Sequence, residues 1–415
     1  MADQIEWEID GVIPSQVVAP KSITQLSEWI THFFDRDLTV VPLGGGTKRH
    51  IGAPLLKYDC ALLTHHLTGL TEYVPEDLTV TVQAGTILND LQAALSKEHQ
   101  WLPIDPPHPD RATVGGLLAT GFCGPSSCLY GPIRDYVLGI TVVQPTGAVT
   151  SFGGRVVKNV AGYDVTRLYI GSFGTLGVIA EATFKVLPVP EHRAGVLVST
   201  DSLASLESLL DALVRGPISP AICQVFNRPA AERSPLCTEL LDSSGTYAVG
   251  LAFDGFEEEV RWSTEQLQKM AKDAGVNYLV FVPTERHQEY RRHIASLHDP
   301  ARPVVVKIVV PSSEVTLLLD WLTKTIGSDA FIVSSALEGI IRIGLSDDER
   351  FLTLLPTIRE EAMRRGGFVI AERLPITWKK VFDVWGHSGR AWQLMKELKG
   401  ALDPKNLFAP GRMGW

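Results

Sequence analysis

Residues 38–52 read LTVVPLGGGTKRHIG, and this stretch decides how the rest of the sequence is interpreted. The apolar, β-branched run at residues 38–41 predicts a buried strand, because a proline and three glycines follow it directly. Gly44, Gly45 and Gly46 allow positive φ angles and expose successive backbone N–H groups, which suits the binding of an anion. A plain turn at the end of a strand explains the three glycines equally well.

The residues after the glycines exclude the two best-known phosphate-binding loops. A P-loop ends its glycine run with Gly-Lys-Ser or Gly-Lys-Thr, and this sequence does not. The dinucleotide fingerprint G-x-G-x-x-G also fails, because Arg49 stands where the third glycine belongs. Lys48 and Arg49 nevertheless add positive charge, so a phosphate ligand would be held by another scheme.

Length and composition are those of an ordinary globular protein. A chain of 415 residues predicts two or three domains with full-sized cores. The net charge of −9 gives no sign of a nucleic-acid or anionic-lipid surface. The first ten residues, MADQIEWEID, do not resemble a signal peptide, and no apolar run is long enough to span a bilayer. We expect a cytoplasmic protein that can still dock at the periphery of a membrane complex.

The cysteines do not predict a metal or iron–sulfur site. An iron–sulfur cluster usually takes four thiolates at short spacings, and the five cysteines are scattered. Cys123 and Cys128 are close enough in sequence for a disulfide or a metal pair, but reduced thiols are expected in a reducing compartment. The five positions are Cys60, Cys123, Cys128, Cys223 and Cys237.

Two further stretches are rich in glycine. Residues 113–121, TVGGLLATG, follow a proline-rich approach, and their small side chains indicate close contact with a flat or bulky group or with another helix. Residues 171–177, GSFGTLG, lead into a strand predicted at residues 178–186 and not into a helix, so they are not a Rossmann motif. His108 lies alone among prolines and is expected to be a surface residue.

The order of predicted elements changes near residue 190, where prolines and charged residues indicate a domain boundary. Beyond it, strands and helices recur twice in the order βαββαβ, at residues 195–283 and 303–373. Two such units predict a largely antiparallel sheet with helices on one face. The final segment is rich in proline and apolar residues, and we expect it to run back across the first domain.

Four separated motifs in this order resemble the flavoprotein family typified by vanillyl-alcohol oxidase. They are P-x-G-G-G-T at 42–47, T-V-G-G-x-x-A-T at 113–120, G-T-L-G-V-I at 174–179 and D-P-x-x-x-F-x-P-G-R at 403–412. The resemblance covers residues 14–190 and the tail, and it implies an α+β fold with FAD as the cofactor. The implied domains are a two-lobed PCMH-type FAD-binding domain (1–190), an FAD-linked-oxidase cap with the antiparallel sheet (191–380), and a returning helix and tail (381–415).

The resemblance also assigns roles to the three glycine-rich loops. The first would hold the FAD pyrophosphate through backbone N–H groups, the second would line the pyrophosphate and isoalloxazine, and the third would contact the adenine or the ring edge. The residues implied to bind FAD are Pro42, Gly44, Gly45, Gly46, Thr47, Lys48, Thr113, Gly115, Gly116, Ala119, Thr120, Gly121, Gly177, Val178 and Ile179.

The sequence identifies no established catalytic motif and no metal site. Lys158, Tyr163 and Arg412 are candidates for the flavin face, where positive charge favours reduced flavin or a bound carboxylate. A salt bridge or an interdomain hydrogen bond explains each of them equally well. Relatives that oxidise 2-hydroxy acids carry a His-x-Gly-Asp-Gly-Asn-x-x-His-type cluster in the cap, which neither His298-Asp-Pro nor His387-Ser-Gly matches.

Within the family, residues 137–179 resemble the FAD-binding E subunit of bacterial glycolate oxidase. This resemblance implies glycolate, a 2-hydroxy acid, as the substrate, and a homologous flavin subunit and an iron–sulfur subunit as partners. Because the histidine cluster is missing, we expect the chemistry to lie mainly on the partner flavin. The alternatives are a self-sufficient FAD-dependent oxidase or dehydrogenase of another hydroxy acid or alcohol, with Tyr163 or His387 as base, and a scaffold subunit that has lost the cofactor.

Overall fold

The computed structural model describes residues 6–154, 164–241, 245–276, 278–327, 330–386 and 389–415. The strands are β1 (Gln16–Val18), β2 (Val40–Leu43), β3 (Cys60–Leu63), β4 (Leu70–Val74), β5 (Thr79–Gln83), β6 (Gln100–Trp101), β7 (Val137–Val143), β8 (Val149–Gly153), β9 (Val178–Lys185), β10 (Leu187–Pro188), β11 (His192–Thr200), β12 (Ile222–Asn227), β13 (Tyr247–Gly255), β14 (Tyr278–Val282), β15 (Val304–Val309), β16 (Phe331–Ser335), β17 (Ile340–Leu345) and β18 (Phe368–Arg373).

Helices connect these strands throughout the described part of the chain. They span Ile23–Asp35, Leu88–Leu95, Val114–Thr120, Ser127–Tyr130, Thr166–Tyr169, Leu203–Arg215, Arg228–Ala231, Pro235–Leu240, Glu257–Asp273, His287–Ser296, Val315–Ile326, Glu349–Arg364, Ile376–Lys379 and Gly389–Leu402. None of them combines the length and apolar character that a bilayer crossing needs. All five cysteines are free thiols.

The N-terminal region consists of two lobes with different sheets. The first lobe is a parallel sheet in the order β1-β3-β2, and the second is an antiparallel sheet in the order β4-β5-β9-β7-β8. Between them lies the helix Ile23–Asp35, which buries Leu26, Ile30 and Phe33 because they share one helical face. The same core contains Val178 of the second lobe, so the two lobes pack as one body.

The C-terminal region folds around an antiparallel sheet in the order β14-β11-β13-β12-β16-β17-β15-β18. Each half of this sheet is one βαββαβ unit, and the halves join where β12 pairs with β16. The four long helices Leu203–Arg215, Glu257–Asp273, Val315–Ile326 and Glu349–Arg364 pack on one face through a shared apolar core. We call this region the cap.

The opposite face of the cap sheet is divided between apolar and polar residues. Over the first half, the helix His287–Ser296 covers the sheet with Tyr290 and Ile294. In the second half, neighbouring strands place Lys307, Arg342 and Glu372 on this face, while the alternate residues point into the helix-covered core. This polar half of the sheet faces the N-terminal region.

The predicted fold class is confirmed: the chain is α+β, with a two-lobed first domain and an antiparallel cap. Most predicted elements lie within a few residues of the observed ones; the helix expected at 202–215, for example, spans Leu203–Arg215. The sequence did not predict the helix His287–Ser296 or the helix Val114–Thr120. The domain boundaries at residues 190 and 380 stay predictions.

Side chains of the cap contact the first domain through several polar groups. Tyr130 donates a hydrogen bond to Asp254 at 2.9 Å, and Arg291 forms an ion pair with the other oxygen of Asp254 at 2.6 Å. Arg291 also donates to Ser126 at 3.0 Å. Because Asp254 is nearly inaccessible to solvent, these contacts hold the cap in one orientation over the first domain.

The tail returns to the first domain, as the sequence predicted, and a buried ion pair holds it there. Lys399 donates to the backbone oxygens of Thr175 (2.8 Å) and Phe408 (3.0 Å) and pairs with Asp403. The carboxylate of Asp403 also accepts from the backbone N–H groups of Leu407 and Phe408, each at 2.9 Å. The segment that follows then hydrogen-bonds to the edge of β2.

We expect Lys399→Met to lower the free energy of unfolding by about 3–5 kcal/mol, because it leaves a buried, unpaired carboxylate at Asp403. Lys396→Met, on the exposed side of the same helix, is the matched control and should change stability by less than about 0.5 kcal/mol. Urea unfolding of both variants measures the difference. Equal losses in the two variants would contradict the anchoring role of the buried pair.

Candidate functional site

A cleft with about 970 Å³ of empty space, part of it open to solvent, lies where the three glycine-rich loops meet. Of the residues implied to bind FAD, the cleft is lined by Pro42, Gly44, Gly45, Gly46, Thr47, Lys48, Thr113, Gly115, Gly116, Ala119, Thr120, Gly177, Val178 and Ile179. The loops therefore come together although they are distant in sequence.

Gly121 is the predicted residue that does not line this cleft. It ends the helix Val114–Thr120 in the left-handed conformation, with a φ of +62°. Its N–H donates to the backbone oxygen of Leu118, so it completes the helix terminus. The left-handed conformation at the helix end therefore accounts for the glycine, and no contact with a ligand is needed to explain it.

Close packing explains the glycines of the first loop better than positive φ angles do. A Cβ on Gly44 would lie 2.0 Å from the hydroxyl of Thr113, and a Cβ on Gly45 would lie 1.6 Å from the backbone oxygen of Arg111. Only Gly46 of the three adopts a positive φ, of +67°. Our expectation that all three glycines serve positive φ angles was therefore wrong for two of them.

The second and third loops are closely packed for the same reason. A Cβ on Gly115 would lie 2.8 Å from the side chain of Ala84, and one on Gly177 would lie 2.8 Å from Val142. The close contact predicted for the second loop is therefore made with a strand end and not with another helix. The result is a cleft lined by main chain and small side chains.

Arg412 lines the cleft, but other groups already bind its guanidinium. It forms an ion pair with Asp10 at 3.4 Å and donates to the backbone oxygen of Arg49. Burial lowers the pKa of Arg412 to about 10. Lys379 pairs with the other oxygen of Asp10 at 2.7 Å, so the salt bridge that we weighed for Arg412 is present.

The other predicted candidates cannot be placed. Lys158, Tyr163 and His387 lie outside the described residues. Their assignment to the flavin face or to catalysis stays a prediction.

A buried cluster of charged side chains lies beside the cleft, between the first domain and the polar half of the cap sheet. Arg342 donates to both oxygens of Glu372, at 3.0 and 3.3 Å. Burial raises the pKa of Glu372, but Arg342, Lys307 and Lys48 outweigh it and bring the pKa down to about 2. Glu372 is therefore a carboxylate at all ordinary pH values.

Two basic side chains of this cluster have no hydrogen-bond acceptor among the described residues. They are Lys48, at the end of the first glycine loop, and Lys307, on the cap strand β15. Burial lowers the pKa of each. The ammonium of Lys48 lies 4.2 Å from the centre of the Phe122 ring, against which Arg342 also packs at 5.3 Å.

His298, which matched no motif, lies inside the cluster. Its Nε2 lies 3.1 Å from the side-chain oxygen of Gln224, and its Nδ1 lies 3.3 Å from Arg342. Burial and Arg342 hold its pKa well below the usual range, so the ring is neutral. Since arginine only donates, Nδ1 accepts from Arg342 and Nε2 carries the proton.

Asp299 links the cluster to the first domain. It accepts from Arg373 at 3.1 Å and contacts His108 at 3.1 Å, so the histidine expected to be a simple surface residue joins the two domains. Arg373 also approaches Nε2 of His50 at 3.4 Å. The positive charges of Arg373 and Lys48 overcome burial and hold the pKa of Asp299 well below its usual range.

Sequence reasoning missed the cap half of this cluster because its members come from separate strands and form no motif. The sequence did contain a signal, since Lys307 and Arg342 each stand alone within an apolar run and Glu372 follows directly after another one. A charged residue in such a run is costly to bury unless it is paired. Among the described residues, no group of three or more His, Cys, Asp or Glu side chains is placed to hold a metal ion.

These features define a class of protein. The cleft offers main-chain amides at glycine positions, which suits a diphosphate, and a long slot between two lobes beneath an antiparallel cap. Residues 14–153 match the family described as FAD binding domain, and residues 348–413 match the family described as FAD linked oxidases, C-terminal domain. The chain is therefore a two-domain flavoprotein.

Named relatives agree with this class. The chain is 27% identical over 418 residues to glycolate oxidase subunit GlcD of Bacillus subtilis (strain 168), covering 97% of this chain and 89% of the relative. It is 39% identical over 196 residues to glycolate oxidase subunit GlcE of Escherichia coli (strain K12), covering 47% of this chain and 54% of the relative. It is 26% identical over 446 residues to the mitochondrial D-lactate dehydrogenase [cytochrome] of Arabidopsis thaliana, covering 97% of this chain and 73% of the relative.

A solved structure of alkyldihydroxyacetonephosphate synthase has the same fold, with a TM-score of 0.72 and 19% identity over 95% of this chain and 75% of that one. The two matched domains are those of FAD-linked oxidases, so the chain is an FAD-dependent oxidoreductase with FAD as its cofactor.

We expect Gly45→Ala to reduce the FAD bound per chain and to lower the free energy of unfolding by roughly 1–3 kcal/mol, because the new methyl group collides with the backbone at Arg111. Gly400→Ala is the matched control: it meets open space within a helix and should raise stability by about 0.5–1 kcal/mol. Flavin content after gel filtration and thermal unfolding measure both effects. Full FAD content in Gly45→Ala would contradict the packing argument.

Proposed function

We propose that this chain is the FAD-binding subunit of a glycolate oxidase or dehydrogenase complex, in which a 2-hydroxy acid is oxidised in the cleft of this chain. The supporting comparisons are the two glycolate oxidase subunits, GlcD and GlcE. Electrons would then pass to a partner acceptor. The protein would act in the cytoplasm, with a peripheral position at a membrane electron-transfer complex as the alternative.

The observation that carries this proposal is a pair of buried amines beside the cleft that have no hydrogen-bond acceptor among the described residues. They are Lys48 and Lys307, which both lie near the guanidinium group of Arg342. Leaving such buried donors unsatisfied is unfavourable unless a ligand accepts hydrogen bonds from them. The carboxylate of a 2-hydroxy acid could accept these hydrogen bonds. The carbinol carbon of the acid would then lie towards the cleft.

The three glycine-rich loops are the proposed binding groups for the cofactor. Backbone N–H groups of residues 44–48 would hold the pyrophosphate, and residues 113–120 and 177–179 would enclose the ring system. Bound FAD supplies the acceptor for the two electrons and the hydrogen that leave the substrate carbon.

The cluster changes one sequence-based expectation. Without the histidine motif of catalytic relatives, we expected the chemistry to lie mainly on a partner flavin. Because the cap supplies a different set of polar groups, we instead propose oxidation at this chain's own FAD. The homologous flavin subunit and the iron–sulfur subunit remain proposed partners for the transfer of electrons.

A second candidate is a self-sufficient dehydrogenase of another hydroxy acid. It is favoured by the D-lactate dehydrogenase that aligns with nearly the whole chain. In this case no partner is needed for turnover. The two candidates differ in whether the isolated chain reduces an artificial electron acceptor repeatedly at full rate.

Anaerobic addition of hydroxy acids to the purified, FAD-loaded chain tests the proposal. We expect glycolate to bleach the flavin absorbance, and an uncharged diol of similar size not to do so. Bleaching by D-lactate or D-2-hydroxyglutarate alone would replace glycolate with another hydroxy acid. No bleaching by any hydroxy acid, with or without the partner subunits, would contradict the proposed function.

We expect Lys307→Met to raise the KM for the hydroxy acid at least 10-fold, because it removes an ammonium group that has no protein partner and attracts the substrate carboxylate. FAD content should stay unchanged. Lys324→Met, at an exposed position, is the matched control and should leave KM as in the wild type. An unchanged KM in Lys307→Met would argue against a carboxylate site in this cluster.

A further inference from the structure

We propose that the side chain of Lys48 accepts the hydroxyl proton of the substrate, a role that rests on the function proposed above. The sequence assigned only the backbone of Lys48 to FAD, so its side chain is available for another task. Lys48 lines the cleft and also faces the charged cluster of the cap. Its side chain therefore lies between the proposed cofactor cleft and the proposed site of the substrate carboxylate.

The two histidines of the cluster cannot accept this proton. Nδ1 of His298 already accepts from Arg342, and its Nε2 carries a proton that faces Gln224. Nε2 of His50 lies 3.4 Å from a guanidinium nitrogen of Arg373, so its acceptor site is occupied in the same way. Burial and the neighbouring Arg373 lower the pKa of His50 to about 3, which makes its ring a weak base.

The neighbouring carboxylates are also poorly suited to accept the substrate proton. Both oxygens of Glu372 accept from Arg342, and a group with a pKa of about 2 takes up little proton from an alcohol. Asp299 is occupied by Arg373 and His108. Glu338 has one oxygen without a hydrogen-bond partner, but that oxygen is buried and the residue does not line the cleft.

Among the described residues, three basic side chains line the cleft, and two of them are bound to protein groups. Arg412 pairs with Asp10, and Arg49 donates to the backbone oxygen of Glu6 at 2.5 Å. The amine of Lys48 has no hydrogen-bond partner in the described part of the chain and rests on the Phe122 ring. Of these three groups, it is the one that a substrate hydroxyl can reach without displacing a protein partner.

The surroundings of Lys48 favour its neutral form, which a proton acceptor requires. Burial is the largest influence and lowers its pKa, and the guanidinium groups of Arg342 and Arg373 act in the same direction. The carboxylates of Glu372 and Asp299 act in the opposite direction and are weaker than burial. The net pKa lies below that of an ordinary lysine.

The proposed step is the two-electron oxidation of the substrate carbinol to a carbonyl group. Oxidation of the carbinol breaks its O–H bond and its C–H bond and forms the C=O bond of the product. The proton of the O–H bond goes to the lone pair of Lys48 Nζ, and the hydrogen of the C–H bond leaves with its electron pair to the bound FAD. Lys48 then returns the proton to solvent.

Substitution of Lys48 in the full, FAD-loaded chain tests this role. Lys48→Ala is expected to slow anaerobic flavin bleaching 10²-fold to 10⁴-fold, the usual contribution of a general base. Lys48→Arg keeps a long basic side chain but is always protonated and cannot accept a proton at neutral pH, so it should be equally slow. Small primary amines added to Lys48→Ala should restore part of the rate. Lys97→Met, at an exposed position, is the control.

The rate of flavin bleaching should depend on pH. In the wild type, the bleaching rate should fall as the pH is lowered through the depressed pKa of Lys48, because the amine becomes protonated. This acid limb should be absent in Lys48→Ala. The FAD content of each variant, read from the absorbance before substrate is added, separates loss of the cofactor from loss of the proton acceptor.

A binding measurement without turnover gives a second readout. Oxalate binding to the FAD-loaded chain, followed by calorimetry in buffers of different ionisation enthalpy, should be accompanied by uptake of up to about one proton. A neutral amine next to a bound anion gains a proton because the anion raises its pKa. Lys48→Arg should bind oxalate with less proton uptake than the wild type, because of the two buried lysines only Lys307 can then gain a proton. This comparison remains informative if Lys48→Ala is poorly folded.

The outcomes separate the two proposals. Wild-type rates in Lys48→Arg, or oxalate binding with equal proton uptake in Lys48→Arg and the wild type, would overturn the role of Lys48 and leave the proposed function intact. Failure of every hydroxy acid to bleach the wild-type flavin would overturn the proposed function, and the role of Lys48 with it.

Discussion

The contact between the first glycine loop and the backbone at residues 111–113 determines the shape of the cleft. At Gly44 and Gly45 the loop approaches so closely that no side chain fits between the two segments. This approach brings backbone amides from one lobe next to those of the other. A cofactor with a diphosphate can then be bound by main chain alone, without the lysine that a P-loop uses.

The cap adds the chemistry that the first domain lacks. Its sheet has an apolar face covered by helices and, in one half, a polar face turned towards the cleft. Burying charged groups there is costly, and the Arg342–Glu372 pair offsets only part of that cost. Lys48 and Lys307 are left without protein acceptors. An enzyme that must bind an anionic substrate and move a proton has a use for such groups, whereas a scaffold has none.

Local sequence patterns predicted the parts of the structure that are themselves local. Glycine loops, alternating strands and amphipathic helices are set by near neighbours, so the fold class and the lining of the cleft could be read from the sequence. The charged cluster could not be predicted, because Lys48, Arg342 and Glu372 meet only after two strands and a loop are placed in space. His298 was set aside for lack of a motif, yet the fold places it beside Arg342. The glycines were identified correctly, but for two of them the reason is close packing and not a positive φ.

The central claim is that three glycine-rich loops form one FAD site in this chain. The most direct test is the visible spectrum of the purified protein, followed by acid precipitation and measurement of the flavin per chain. We predict a yellow protein with one FAD per chain, or a flavin-free protein that takes up one equivalent of added FAD. A colourless preparation that binds no added FAD would contradict the account.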